Sequence, residues 1–191
     1  MNGLLDATLA AAARGDEHAW RKLVDGYSGR VYGLLYRQCR DGELAEEITQ
    51  ATFVKVVAKL GDYEDLGRFE SWLFRIAINR LRDEMRRRGR QASPVDFAAN
   101  PPESIGYNAG DEADAAPETP LVRGEQHQAL REAVDQLPEA DRQLLEMRYT
   151  AEMSYQQIAD ALAQPLGTVL ARGHRALKKL RTMLAENVDA A

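Results

Sequence analysis

Arg75, Asn79, Arg82 and Arg86 recur at steps of four, three and four residues, and Thr168, Arg172, Arg175 and Lys179 repeat that spacing. Each set falls on one face of a helix. The chemistry such a face performs is recognition of nucleic acid. Arginine forks match phosphates and guanine edges, and an asparagine amide reads a base through its paired donor and acceptor. A solvated cationic surface is the plainer reading of both stripes. It fits the second stripe poorly, because residues 169–183 carry five basic side chains and no acid. For the first it stays open, since an acidic stretch follows immediately downstream.

Other residue types add weaker signals. Tyr63, Phe69 and Trp72 are candidates for stacking on an unpaired base. Phe69 and Trp72 share an apolar stripe and read first as core, whereas Tyr63 lies in a loop between Gly61 and Gly67. Glu43, Glu46, Glu47 and Gln50 form an acidic helical face, which is either solvated or a dock for a partner. The sequence has no Gly-rich phosphate loop, no HExxH and no nucleophile motif, so no catalytic residue is assigned. His18, His127 and His174 are scattered and Cys39 is the single cysteine, so neither a metal site nor a cofactor is expected.

The elements that must position these residues are helical. Asp41 is placed to cap a helix whose apolar positions are Ile48, Phe53, Val56, Val57 and Leu60. Two segments precede it, about 16–25 with Trp20, Leu23 and Val24, and 29–39 with Val31, Leu34 and Leu35. Phe69, Trp72, Leu73, Ile76, Ala77 and Leu81 make the next stripe, with Arg87, Arg88 and Arg90 extending the basic patch past the helix end. Further on, Leu130, Val134 and Leu137 run up to Pro138, and Leu144, Leu145 and Tyr149 continue the core. Residues 154–183 read as a helix-turn-helix: a short helix from Ser154 to Leu162, the turn Ala163-Gln164-Pro165-Leu166, and a longer basic helix from near Gly167. Ala159 is small where two helices approach, and Val169, Gly173, Leu177 and Leu180 form the inner face.

The 191 residues carry a net charge of −5, which by itself argues against gripping nucleic acid by bulk charge. Its distribution changes that inference. Residues 71–92 and 169–183 are each +5, set among stretches of −3 (1–70), −6 (93–125) and −4 (126–168). Five of the seven prolines fall in the acidic stretch, which lacks hydrophobic periodicity. The expected architecture is all-α: a helical lobe over 1–92, a flexible acidic linker over 93–124, and a helix-turn-helix lobe over 125–191. No apolar run reaches bilayer-spanning length, and Asp6 interrupts the apolar start, so neither membrane insertion nor a signal peptide is expected.

Three segments in order resemble the extracytoplasmic-function (ECF) sigma factors of bacterial RNA polymerase. Leu44-Ala45-Glu46-Glu47-Ile48-Thr49-Gln50-Ala51-Thr52-Phe53 resembles the family's polymerase-docking helix. Phe69-Glu70-Ser71-Trp72-Leu73-Phe74-Arg75-Ile76-Ala77-Ile78-Asn79 resembles its promoter-melting helix. Leu137-Pro138, Ser154-Tyr155-Gln156-Gln157-Ile158-Ala159 and Gly167-Thr168-Val169 with Arg172 and Arg175-Ala176 resemble its C-terminal promoter reader. The resemblance implies a cytoplasmic, non-enzymatic protein that binds core RNA polymerase and directs promoter recognition, melting and initiation. Glu43, Glu46, Glu47 and Gln50 would face the polymerase. Tyr63 and Arg68, in the loop that captures a displaced base, would join Arg75, Asn79, Arg82 and Arg86 at the −10 element. Thr168, Arg172, Arg175 and Lys179 would read the −35 element, and an anti-sigma factor joins the candidate partners. A stand-alone helix-turn-helix regulator and an anti-sigma-like adaptor are the competing readings. The chain departs from the family's usual residues at Gln157, Ala163, Gln164, Leu170, Ala171 and Gly173.

Overall fold

The computed structural model describes residues 3–64, 67–91 and 120–189. Among them are eight helices: α1 (Gly3–Ala13), α2 (Glu17–Cys39), α3 (Gly42–Leu60), α4 (Phe69–Gln91), α5 (Pro120–Asp135), α6 (Glu139–Tyr149), α7 (Tyr155–Leu162) and α8 (Leu166–Asp189). The all-helical expectation agrees with this. Most of the expected linker, including four of its five prolines, lies outside the described residues. Its last five residues, 120–124, belong to α5, where Pro120 takes a first-turn position that needs no amide donor.

The first lobe is α1 to α4. Two expected segments are in fact one helix, α2, started by Asp16, whose carboxylate accepts from the Ala19 amide at 2.8 Å. Ala19, Leu23, Tyr27, Val31, Leu34 and Leu35 give it one continuous buried stripe. The intervening Gly26 and Gly29 weaken a helix by only about 1 kcal/mol each, which that burial outweighs. The helix α1 has no counterpart in the sequence reading; its Leu9 and Ala12 are buried. Asp41 caps α3 as expected, accepting from Leu44 N at 3.0 Å. Buried Thr49 and Thr52 satisfy their hydroxyls on the carbonyls of Ala45 and Ile48, both at 2.7 Å. In α4, Phe69, Leu73, Phe74, Ala77, Ile78 and Leu81 are fully buried.

In the second lobe Ala133, Leu137, Leu144, Leu145, Met147, Met153, Ile158, Val169 and Leu180 are buried. Four expected core positions are instead exposed: Val24, Val57 (54%), Leu130 and Tyr149 (62%). Val24 and Val57 each sit one position past a buried residue, Leu23 and Val56, whereas Leu130 and Tyr149 are in phase with buried Ala133 and Leu145 but stand one turn beyond them along the helix. The buried residues of the two lobes form a single cluster, with α2 and α4 packed on α6 and α7. Gly33 is a close approach between the lobes, since a Cβ there would stand 3.3 Å from Thr150 Cγ2.

Candidate nucleic-acid interface

The α4 stripe forms as its spacing predicts, with Arg75, Asn79, Arg82 and Arg86 all exposed. Three cations near it reach across to the second lobe. Arg75 donates to the backbone carbonyl of Asp160, Arg68 Nε lies 3.9 Å from Asp160 Oδ2, and Arg82 Nη2 donates to Gln143 Oε1 at 3.0 Å. Arg87 and Arg88 are not past the helix end, because α4 continues to Gln91. They fold back on Glu84, three and four residues earlier, and Arg88 also pairs with the α3 cap Asp41 at 2.9 Å. These bonds hold the Glu84 carboxyl down at about 2, well below its ordinary value. The side chain of Arg90 lies outside the described residues.

Tyr63 is half-buried and stacks on Trp72, with ring centroids 4.5 Å apart, while Phe69 is core. Tyr63 and Trp72 line an open recess of about 200 Å³ with Lys59 and Asp62. Its aromatic wall and polar rim suit a planar heterocycle.

The α8 stripe is mounted differently. Ser154 and Gln157 start α7 with a reciprocal capping box: Gln157 N donates to Ser154 Oγ at 3.2 Å and Ser154 N to Gln157 Oε1 at 2.7 Å. The turn closes through Ala163 in the left-handed conformation (φ 52°). Thr168, Arg175 and Lys179 then stand exposed on one face. Arg172 is half-buried, 3.6 Å from Asp141 and donating to Gln164 Oε1 at 3.4 Å. On the inner face, a Cβ at Gly173 would lie 2.8 Å from the Tyr155 ring. The bulk missing at 173 is supplied from α7.

Glu43, Glu46, Glu47 and Gln50 are exposed on α3, with Gln50 donating to Glu46 at 3.1 Å. Val54 and Val57 carry that face on as exposed apolar side chains. Sequence reasoning missed this extension. The signal was available at Val54, which is out of phase with Ile48, Thr52, Val56 and Leu60.

Between the lobes, Gln38, Leu81, Met85, Arg142 and Glu146 line a small cavity. Glu146 Oε2 and Gln38 Nε2 are buried without a protein hydrogen bond. Desolvation pushes the Glu146 carboxyl up to about 7, against the pull of Arg142, Arg37 and Arg40. Among the described residues no His, Cys, Asp and Glu cluster could hold a metal, and no helix is long and apolar enough to cross a membrane.

Comparison with known proteins agrees with this layout. Residues 23–91 match Sigma-70 region 2 and residues 127–180 match Sigma-70, region 4. The chain is 33% identical to the RNA polymerase sigma-H factor of Pseudomonas aeruginosa, covering 91% of this chain and 92% of that one. It is 31% identical to the ECF RNA polymerase sigma factor SigK of Mycobacterium ulcerans, over 94% and 93%. Its fold is similar to that of CnrH in complex with the cytosolic domain of CnrY (TM-score 0.66, 22% identity, 94% and 96% covered). It is also similar to RpoE in complex with the anti-sigma factor NepR from Bartonella quintana (TM-score 0.61, 21% identity, 86% and 96% covered). With both regions present in order, each containing one of the two basic stripes, the chain belongs to the ECF sigma factors of the sigma-70 family.

Proposed function

We propose a residue-level division of labour for this sigma factor, which directs RNA polymerase to promoters and initiates transcription without catalytic chemistry of its own. The acidic and apolar face of α3 (Glu43, Glu46, Glu47, Gln50, Val54 and Val57) docks on core polymerase. Arg68, Arg75, Asn79, Arg82 and Arg86 hold the −10 strand while Tyr63 stacks on a displaced base. Unstacking a base costs a few kcal/mol, and stacking on an aromatic returns about 1–3. Thr168, Arg172, Arg175 and Lys179 read the −35 duplex from α8. The lobes are assigned to 1–92 and, from the start of α5, to 120–191, with 93–119 as the tether between them, and the protein acts in the cytoplasm beside the polymerase. Neighbours solved with CnrY and NepR support an anti-sigma factor as a further partner.

The observation that carries this reading is the exposed face of α8, which presents Thr168, Arg175 and Lys179 within the segment matching region 4. Purified chain added to sigma-free core polymerase is expected to yield promoter-dependent run-off transcripts. Absence of a complex with core polymerase overturns it. Tight, specific duplex binding and regulation without polymerase would instead identify a stand-alone regulator.

A further inference from the structure

Glu70, at the start of α4, sits at the centre of a network that joins the lobes. Its Oε1 accepts from Tyr27 Oη and from Arg30 Nη1, both at 3.1 Å. Arg30 in turn donates twice to the Ala151 carbonyl of the second lobe, at 3.0 and 2.6 Å, and lies against the rings of Tyr27 and Phe74. The other oxygen, Oε2, accepts from the side-chain amide of Gln157 on α7. Gln157 serves two partners at once: its Oε1 closes the α7 capping box while its Nε2 reaches Glu70. One turn along α7, Asp160 offers a carbonyl to Arg75 and a carboxylate to Arg68. An anion and an acceptor therefore stand where the −10 surface would meet phosphate.

We propose that Glu70 and Gln157 form a latch that holds the free chain closed, with α7 covering the cations of the −10 surface until polymerase engagement separates the lobes. The inference rests on the promoter-binding reading of α4 and adds its regulation. The latch depends on residue 157 being an amide. A glutamate there still accepts from Ser154 N and keeps the capping box, but it has no donor for Glu70 and sets two carboxylates face to face. Gln157 is one of the positions at which this chain departs from the usual residues of the family it resembles. In the closed chain one Arg75 donor is taken by the Asp160 carbonyl and the Asp160 carboxylate faces Arg68, so a DNA phosphate approaching these cations meets an anion and closure weakens −10 binding. The α8 face takes no part in the closure and stays open.

The test uses the full chain, free of polymerase, in wild-type, Gln157→Glu, Glu70→Gln/Gln157→Glu and Gly33→Leu forms. The last is an independent wedge against Thr150. Compactness is read by small-angle scattering, and affinity by titration of a labelled mixed-sequence single-stranded DNA. Gln157→Glu and Gly33→Leu are expected to expand the particle and bind the strand about tenfold more tightly, as releasing a mostly closed population requires. The double exchange restores an amide–carboxylate pair and returns both readouts towards wild-type. Arg75→Ala in the Gln157→Glu background removes most of the gain. The latch is overturned if both opening variants stay compact with native helix content, if expansion brings no tighter binding, or if the gain survives Arg75→Ala. Capture by core polymerase reports the underlying reading separately. Its loss in the wild-type chain overturns that reading and the latch with it, whereas capture with unchanged compactness overturns the latch alone.

Discussion

The stripes on α4 and α8 share one spacing and nearly one composition, yet the fold treats them oppositely. On α8 the cations point to solvent from a helix mounted by a tight turn, and only Arg172 is held by neighbours. On α4 Arg75 and Arg82, with Arg68 just before the helix, are engaged by α6 and α7. Arg87 and Arg88, one turn further, are spent on Glu84 and Asp41. Equal charge density in sequence therefore does not mean equal readiness to bind.

The largest expected effect breaks the mounting of α8. Gly173→Leu drives a side chain into the Tyr155 ring, already 2.8 Å from the Cβ position, and is expected to cost about 3 kcal/mol by overpacking. Calorimetry should show the loss, and Gly173→Leu/Tyr155→Ala should recover much of it. An undiminished single variant would mean that Tyr155 swings away freely. Next comes the seam that covers α4. The Glu146 carboxyl is raised in the folded chain, so its contribution is complete below about 4.5 and lost as pH rises through about 7. Wild-type stability should therefore fall between pH 5 and pH 8. Glu146→Gln should flatten that slope and add on the order of 2 kcal/mol at pH 8. Urea titrations at the two pH values measure both. The paired carboxylates Asp41 and Glu84 titrate in the opposite sense, below their ordinary values, and leave that window untouched.

These cases mark what was legible in the chain. The capping by Asp41 and the Ser154–Leu162 helix were readable because a local side-chain bond or a strict period determines them. So were the faces of the two stripes. The continuity of α2 was not, since Gly26 and Gly29 argue locally for a break that only burial against α1, α3 and α4 overrules. Val57 was misplaced because an apolar side chain beside a buried stripe reads as part of it, and Tyr149 because it keeps phase with buried Leu145 although α6 ends there. The closure of the lobes was invisible: Arg30–Ala151 and Glu70–Gln157 join residues more than eighty positions apart, and no periodicity records such a pairing. Gly173 looked like a defect until Tyr155 was seen to fill its place.

A smaller effect sharpens the contrast between the stripes directly. Arg172→Ala should weaken binding of the polymerase complex to a −35 duplex by about 1–2 kcal/mol, the scale of one base or phosphate contact. Core-polymerase binding should be unchanged. Equal loss of both would show that the contacts of Arg172 with Asp141 and Gln164 are its purpose, and that α8 reads DNA without it.

The smallest concerns the hinge of the reader itself. Ala163 holds φ at 52°, where a Cβ crowds the following carbonyl at a cost of about 1–2 kcal/mol, and glycine avoids that contact. Glycine also frees the unfolded chain, returning about 0.5–1 kcal/mol of the gain. Ala163→Gly is therefore expected to raise the stability of the C-terminal lobe by less than about 1 kcal/mol, measured as a rise of a few degrees in its melting temperature. Because α8 is already open, −35 affinity should not follow. If affinity rose with stability, the turn would be limiting how α8 enters the groove, and the open stripe would be less ready than its exposure implies.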